Sequence, residues 1–489
     1  MKGKFLSNIG FLLILNLLIK GTWILGIDRV VQNTVGSAIY GNYYALLNFT
    51  FLFSILIDLG ITNYNRRRIA QDRSLLAEHL PGILSLKLLL GLGYFLIVLI
   101  IGLLLGYDRE QFYFIPILAL NQILLSLILY LRSNLGGLHL FRTDSAISVL
   151  DRGLMILFCG ILLWGLPAGI PFRIEWFVLA QTGAYALTAL SAGVAVLKHS
   201  GDLLPRWDRN FFGAMLWNSL PYALLVLLMT FYNRVDSVML ERLLPNGSVE
   251  VGIYAQGFRI LDGISQLGFL SASLLLPIFA RNIEKNELKE LKGLLSSATR
   301  SLIPGAVLVA CVCAFHSLSL MKLFYNEHHH EASWVFGALM VSFIPVACSY
   351  IYGTLLTAKG VIKQMNLLAG AGMLLNVLLN LILIPSFGAW GASIATLVTQ
   401  AGTAAAQTSL ALSYYPMMVP YKRIIPWPLF LILIVGSGFL LEAMEVPLFL
   451  SLLLHTGIGL LGLFLTGLFQ FSEGREVLKG IWTGRDGDK

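Results

Sequence analysis

The stretch Asn376-Val-Leu-Leu-Asn380-Leu-Ile-Leu-Ile-Pro385-Ser-Phe-Gly388-Ala-Trp-Gly391-Ala-Ser-Ile-Ala-Thr396 decides how the rest of the chain is read. Pro385 and Gly388 are helix breakers set between two long apolar runs, so the stretch is the end of one membrane helix, a tight turn and the start of another. The two helices then lie side by side. Asn376 and Asn380, four apart, share a face of the first, and Ala392 and Thr396 share a face of the second. At about 1.5 Å per residue, both pairs sit roughly 8 to 14 Å below the same membrane surface. Polar groups at matched depth in adjacent helices make an ion or substrate pocket, or else bridge two packed helices through hydrogen bonds.

Working outward, apolar residues make up 57% of the 489 residues and charged ones 12%, with a mean hydropathy of +0.78. A soluble globular chain is about a quarter charged. The apolar runs have helix-spanning length and lack strict alternation, which predicts an all-α integral membrane protein rather than a barrel. Met1-Lys-Gly-Lys4 carries the charge of a signal peptide, but Lys20 interrupts the apolar run and no small-x-small cleavage site follows. The expectation is an uncleaved first helix.

The pattern predicts about fourteen transmembrane helices: 7–28, 40–63, 80–106, 112–132, 145–166, 172–197, 211–242, 250–279, 296–324, 333–357, 361–385, 388–413, 424–442 and 446–470. The net charge of +8 would suggest nucleic acid in a soluble protein; here its distribution matters more. With the N-terminus inside, the inner segments hold 23 cationic residues, from Lys2 and Lys4 to Arg485 and Lys489, and the outer segments hold five, Arg29, Arg109, Arg173, Arg242 and Lys322. That asymmetry predicts a multi-pass membrane protein with both termini cytoplasmic. Cys159, Cys311, Cys313 and Cys348 fall in apolar runs and read as small buried residues rather than a metal or disulfide framework.

No predicted loop exceeds roughly fifteen residues, the longest being the charged segment from Arg281 to Lys292, which leaves no soluble domain to house an enzyme. Gly41-Asn-Tyr43 and Gly252-Ile-Tyr254 echo each other 211 residues apart, each followed by a Leu-Gly, at Leu59-Gly60 and Leu267-Gly268. The offset equals six helices. It predicts two pseudo-symmetric six-helix lobes, residues 1–200 and 201–415, with two further helices and a tail in 416–489, as parallel repeats do in several transporter folds.

Charges inside the predicted spans are the next candidates. Asp236 lies near the outer end of the seventh helix, roughly 12 Å from its end and so level with Asn376, Asn380 and Thr396. A carboxylate, two amide oxygens, a hydroxyl and the carbonyl of Ala392 form a hard oxygen set that suits Na⁺ or a proton relay, not zinc. The other reading pairs Asp236 with Arg259. Arg259 and Asp262, three apart, also read as an ion pair. In the first lobe Lys20, Arg29, Lys87 and Arg152 lean positive, with Asp151 beside Arg152. Facing a cavity they would attract a phosphate-bearing substrate; otherwise they snorkel to the interface. His328-His-His330, beside Glu327 and Glu331, lacks ligand spacing and reads as a solvated loop.

Several motifs carry a family resemblance: Gly41-x-Tyr43 with Asp58-Leu-Gly60 and Ile69-Ala70, Arg234-x-Asp236, Gly252-x-Tyr254, and Asn376-x-x-x-Asn380 with Ile384-Pro385, Gly388, Gly391-Ala392 and Ala395-Thr396. Over helices 1 to 12 the chain resembles the multidrug/oligosaccharidyl-lipid/polysaccharide exporter superfamily, and most of all the bacterial polysaccharide (O-antigen, Wzx-type) flippases. The resemblance implies a V-shaped bundle of two six-helix lobes that moves undecaprenyl-pyrophosphate-linked sugars between leaflets by alternating access. It also implies that positions matching a sodium site of related lipid-linked precursor flippases are Asp236, Asn376, Asn380, Ala392 and Thr396. Those relatives usually carry an acid where Asn380 stands, so this set has fewer carboxylates.

The expected substrate ligands are thus Lys20, Arg29, Lys87, Arg152 and Arg259, with no cofactor beyond Na⁺ or H⁺ as coupling ion. The expected partners are a lipid-linked oligosaccharide, membrane lipids and other polysaccharide-assembly proteins, for a monomer that binds no nucleic acid. Two rivals stay open. One is a drug or metabolite exporter of the same superfamily, whose cavity should be acidic; the other is a membrane polymerase or ligase, which needs a large outer loop or an interfacial pair of acids. Capsule, O-antigen and exopolysaccharide pathways all fit.

Overall fold

The computed structural model describes residues 18–138, 140–165, 167, 169–200, 206–416 and 426–468. Lys2, Lys4, most of the first expected helix, Lys422, Arg423 and the cationic tail lie outside the described residues. A π-helical segment, Thr22–Asp28, leads into α1 (Arg29–Val35). There follow α2 (Ser37–Leu52), a short 3₁₀ turn Ser54–Ile57, α3 (Ile61–Gln71), α4 (Leu75–Leu104), α5 (Arg109–Gly137), α6 (Phe141–Trp164), α7 (Ile174–Ser200) and α8 (Arg209–Leu243). The second half holds α9 (Gly247–Glu284), α10 (Leu288–Phe315), α11 (Ser317–Phe324), α12 (His329–Lys359), α13 (Ile362–Tyr414), α14 (Pro426–Ala443) and α15 (Leu448–Leu465). Among the described residues there is no strand.

Eleven of these helices are long and apolar enough to cross a membrane, and twelve if the bent pair α2 and α3 forms one span. The 53 residues of α13 are too many for one crossing, since about 20 suffice. Gly388, with φ 55° and ψ −135°, interrupts the helix there. Across this break the pairs Leu383 and Gly391, Leu375 and Gly402, Gly372 and Thr403, and Gln364 and Tyr414 face each other. They step symmetrically away from Gly388, which is the signature of an antiparallel hairpin. The two arms coincide with the expected helices 361–385 and 388–413.

Packing divides the chain into two compact units, Met1–Gly252 and Ile253–Lys489. In the first unit α8 packs on α2, α3 and α4. The site where the 211-residue echo begins is also a contact. A Cβ on Gly41 would lie 1.8 Å from the Ser248 carbonyl oxygen, and one on Gly252 would lie 2.2 Å from the Ser37 carbonyl oxygen. Ser37 and Ser248 extend the echo to Gly-Ser-x-x-x-Gly-x-Tyr in both copies, so the two segments cross reciprocally through their glycines. The Gln32 side chain seals the crossing by donating to the Gly252 carbonyl at 2.9 Å.

The expected second helix, 40–63, falls on α2 and α3, which meet at a bend of 47°. Leu59 (φ 45°) and Gly60 (φ 82°) take left-handed conformations, and a Cβ on Gly60 would lie 2.7 Å from the Ser219 carbonyl oxygen on α8. A break inside apolar surroundings frees backbone groups that need partners. Lys87 of α4 supplies one, reaching the Ile57 carbonyl at 3.5 Å, Asp58 at 2.7 Å and the Ser126 hydroxyl at 2.9 Å. The Thr62 hydroxyl donates to the other side of the break, at Asp58. Past the bend the register against α5 is kept, because the pairs Asn42 with Gln111 and Asn65 with Asn134 have the same sequence separation of 69.

At the far end of α8, Arg242 clamps the α4–α5 turn. It donates to the Leu105 carbonyl at 3.0 Å and to Gln111 at 3.1 Å, pairs with Glu241, and stacks 4.0 Å from the centroid of the Tyr107 ring. The turn itself is set by a reciprocal cap, in which Asp108 accepts from the Gln111 amide at 2.8 Å.

In the second unit the ninth expected helix is not continuous. His316, with φ −97° and ψ 17°, separates α10 from α11. It meets His455 of α15 at 3.2 Å between Nε2 and Nδ1, while His455 Nε2 lies 2.9 Å from the Ile434 carbonyl of α14. A carbonyl only accepts, so the hydrogen of His455 is on Nε2 and His316 donates to Nδ1. Around this point Val307, Leu308 and Val312 pack with Phe430, Ile434 and Leu463, which fastens the last two helices to α10. The charged segment from Arg281 to Lys292 is not a long loop: α9 runs to Glu284 and α10 starts at Leu288. His329 and His330 open α12 instead of lying in a loop, because the turn is made by His328 at φ 52°. The four cysteines are free.

Candidate ion and substrate sites

The hairpin of α13 arranges its polar residues by register. Asn380 of the first arm stands level with Thr396 of the second, and Asn376 with Thr399, because both pairs straddle Gly388 as the observed facing pairs do. Asn376, Asn380 and Ala392 are fully buried and Thr396 nearly so. Asn380 Nδ2 donates to Asn376 Oδ1 at 3.1 Å, which turns the two amides into one unit. Tyr254 of α9, the tyrosine of the echoed motif, places its hydroxyl 3.3 Å from the Thr396 hydroxyl.

These oxygens are neutral and hard, the kind that accept a small monovalent cation from water and hold no preference for a soft metal. Burial without charge makes the set weaker than one with a carboxylate. Asp236, expected with them, belongs to the first unit, where it is buried on α8 beside Ser237. Its neighbour Arg234 reaches Asn48 at 3.3 Å and stacks 5.2 Å from the Phe51 ring, so Arg234 is committed to α2.

The expected substrate cations fall into three environments. Lys87 is buried, and its ammonium is held by Asp58, Ser126 and the Ile57 carbonyl beneath the Tyr130 ring. All three of its donors are therefore spoken for, and its place is at the bend, not open to a phosphate. Arg152 of α6 lies 5.3 Å over the Trp23 ring with Asp151 at 3.7 Å, which brings α6 against the π-helical segment. Lys20 and Arg29 flank that same segment and are half-buried. Arg29 Nε is buried with no hydrogen-bond partner among the described residues. A guanidinium N–H left in this state has unused capacity for an anionic oxygen. Arg259 is half-buried in the second unit.

Two buried groups escaped the sequence reading. Asp28, which belongs to none of the quoted motifs, is buried and accepts from the Tyr40 hydroxyl at 2.8 Å. The His316 and His455 pair lies 139 residues apart in sequence, and nothing local announces it. Asp58 belongs to a quoted motif, but its bond to Thr62 spans the left-handed Leu59 and Gly60, so helical spacing does not announce it. A recess of about 380 Å³ between α6 and α7 is lined by Phe158, Ile161, Leu162, Trp176, Leu179 and Ala180 and offers no polar group for a headgroup.

Comparison with known proteins adds the following. A family model described as polysaccharide biosynthesis protein matches residues 5–283. Among curated proteins, an uncharacterized membrane protein of Bacillus subtilis (strain 168), YabM, is 28% identical over 193 residues, covering 36% of this chain and 34% of its own. The chain thus matches about a third of the length of that relative. Among solved structures, the lipid II flippase MurJ in an inward closed conformation is similar with a TM-score of 0.72, at 15% identity over 94% of this chain and 98% of that one. A multidrug resistance MATE family transporter of the MOP superfamily, inward-facing, gives a TM-score of 0.64 at 14% identity over 81% and 95%. At such identities these likenesses show a shared fold.

Proposed function

The chain belongs to the polysaccharide biosynthesis protein family, and from that premise we propose that it is a flippase carrying undecaprenyl-pyrophosphate-linked oligosaccharide from the cytoplasmic to the outer leaflet of the bacterial cytoplasmic membrane by alternating access. The observation that carries this reading is the family match joined to the fold of flippases and transporters, on a chain with buried or half-buried cations in its first unit. Arg29, with its unused Nε, is the primary ligand for the pyrophosphate; Lys20 and Arg152 add positive charge around the same helical segment. Lys87 leaves the ligand set because its charge is neutralised at the bend.

Movement is coupled to Na⁺ or H⁺ in this proposal. The oxygens of Asn376, Asn380 and Thr396 and the carbonyl of Ala392 would hold the cation, supplying the neutral donors that hard monovalent ions accept. Asp236 is the acid whose charge a cation or proton would balance. An ion drives the cycle only through a difference in its affinity for two conformations.

The test is leaflet translocation of a fluorescent undecaprenyl-pyrophosphate oligosaccharide in vesicles of purified protein, with and without a Na⁺ or H⁺ gradient. Gradient-driven movement that Arg29→Ala slows at least tenfold, and that Asp236→Asn uncouples, is expected. If no lipid-linked sugar moves, the exporter reading replaces this one; if Asp236→Asn leaves ion dependence intact, the coupling scheme is wrong.

A further inference from the structure

His316 and His455 are a buried titratable pair that the transport reading leaves unused. Both belong to the second unit, with His455 fully buried and His316 9% exposed. His455 stands seven residues past Leu448, where α15 starts, so the pair sits roughly 10 Å in from the α14–α15 turn. Apolar groups close round the two rings. Phe315 meets His455 edge-on with centroids 5.7 Å apart, and meets Phe439 of α14 at 5.0 Å. A Cβ on Gly438 of α14 would come 2.7 Å from the Phe315 ring, and one on Gly459 of α15 would come 2.7 Å from Ile434 Cδ1. Helices in such close contact hold the two histidines against each other for as long as the packing lasts. The Ile434 carbonyl that receives His455 Nε2 also accepts from the Ser437 hydroxyl at 3.0 Å, which anchors the pair to α14.

These hydrogen bonds decide how many protons the pair can hold. With both rings neutral, His455 donates from Nε2 and accepts at Nδ1, and His316 donates from Nε2. A proton added to His316 goes to its Nδ1 and leaves the Nε2 donor in place, so the bond survives and becomes charge-assisted. A second proton enters only at His455 Nδ1, the atom that accepts. Two N–H groups of like charge then point at each other across 3.2 Å, and the contact gives way. An asparagine or glutamine would bridge the helices without titrating. Glu442 of α14 is the charged group that faces His316; beyond the two histidines themselves, α10, α11, α12 and α15 bring no charge to bear on either ring among the described residues. Cys311 of α10 packs against the neighbouring apolar cluster as a free thiol.

We propose that His316 and His455 form a proton-operated latch on the last two helices: the pair stays closed with no proton or one proton added, Glu442 balancing the first, and a second proton parts α15 from the break between α10 and α11. The first proton enters at His316, the more accessible ring and the one that Glu442 faces. The second is what the pair cannot accommodate, so the latch answers to strong acid and ignores a mild change. The end of α14 and α15 nearest the pair is the end predicted to face outward, and acid on that side opens the latch. This device stands on the geometry of the pair and is independent of the substrate and of the coupling ion.

The test is double electron–electron resonance on full-length protein in nanodiscs, with the four native cysteines replaced and spin labels at Trp334→Cys of α12 and Leu453→Cys of α15, both exposed positions. Because α12 packs on α10, it is the fixed reference. A single distance is expected from about pH 8 to about pH 6.5; at about pH 4.5, well below the ordinary histidine value, a longer distance should take most of the population and revert on return to about pH 8. His316→Gln keeps a donor to His455 Nδ1 and, with its amide turned over, an acceptor for a protonated His455, so it should hold the shorter distance throughout. His455→Asn keeps the acceptor and removes the second ionisable ring, and serves if the first variant folds poorly. Histidine ¹⁵N NMR should resolve two protonation steps that belong to the pair, the lower one missing from His316→Gln. A wild-type distance that ignores pH, opening of His316→Gln to the wild-type extent, a change that fails to revert, or a single step that takes both protons together overturns the proposal.

Discussion

Lys87→Met should unsettle the first unit more than any other single change of a charged residue described above. The Lys87 side chain is nearly inaccessible, 4% exposed, and the Asp58 side chain it pairs with is 25% exposed. Removing one partner of a buried pair typically costs about 3–5 kcal/mol, because the other charge is left uncompensated. Two features place this case at the low end: Asp58 is partly accessible, and it keeps the Thr62 hydroxyl and a Thr62 amide at 3.4 Å. The Ser126 contact and the approach to the Ile57 carbonyl are also lost. The net is about 3 kcal/mol, and at roughly 2–4 °C per kcal/mol for a domain of this size the midpoint should fall by roughly 6–12 °C. Thermal unfolding of purified protein in detergent, followed by intrinsic fluorescence, measures it. Asp58→Asn combined with Lys87→Met removes both charges and should recover at least half of the loss. A drop under about 2 °C for the single variant, or a double variant no better than the single, would refute the idea that Lys87 stabilises the bend by neutralising Asp58.

Other outcomes follow from the same geometry. Gly252→Ala puts a methyl group against a backbone oxygen that no rotamer change can move, so a loss at or above the roughly 3 kcal/mol upper range of overpacking is expected, seen as collapse of monodisperse protein on size exclusion. Gly93→Ala, with nothing within 4 Å, should be neutral or gain up to about 1 kcal/mol from helix propensity; a loss there equal to that of Gly252→Ala would show that generic helix effects, not the crossing, explain both. His455→Phe keeps the ring but removes two hydrogen bonds, and should lower the unfolding midpoint by the equivalent of about 1–3 kcal/mol; an unchanged midpoint would mean that apolar packing alone fastens α14 and α15.

The sequence by itself determined the class of the protein, its main helices and the α13 hairpin. Those follow from one-dimensional signals: apolar runs long enough to span a bilayer, and Pro385 with Gly388 between two of them. Because the hairpin is local, its register also fixed that Asn380 stands level with Thr396. The 211-residue echo was visible as Gly41 and Gly252, but not that the two copies touch, since a close approach of glycines leaves no trace in hydropathy. Tertiary structure alone decided what each intramembrane charge does. Lys20, Arg29, Lys87 and Arg152 look alike as cations in apolar runs, and only the packing of α4 against the bend neutralises Lys87 while Arg29 keeps an unused N–H. The bend itself, the break at His316 and the pairing of His316 with His455 arise from contacts between distant segments. Hydropathy averages over a window and so reports where a helix crosses, whereas hydrogen bonds in a low-dielectric interior depend on positions to within an ångström, which only the folded chain supplies.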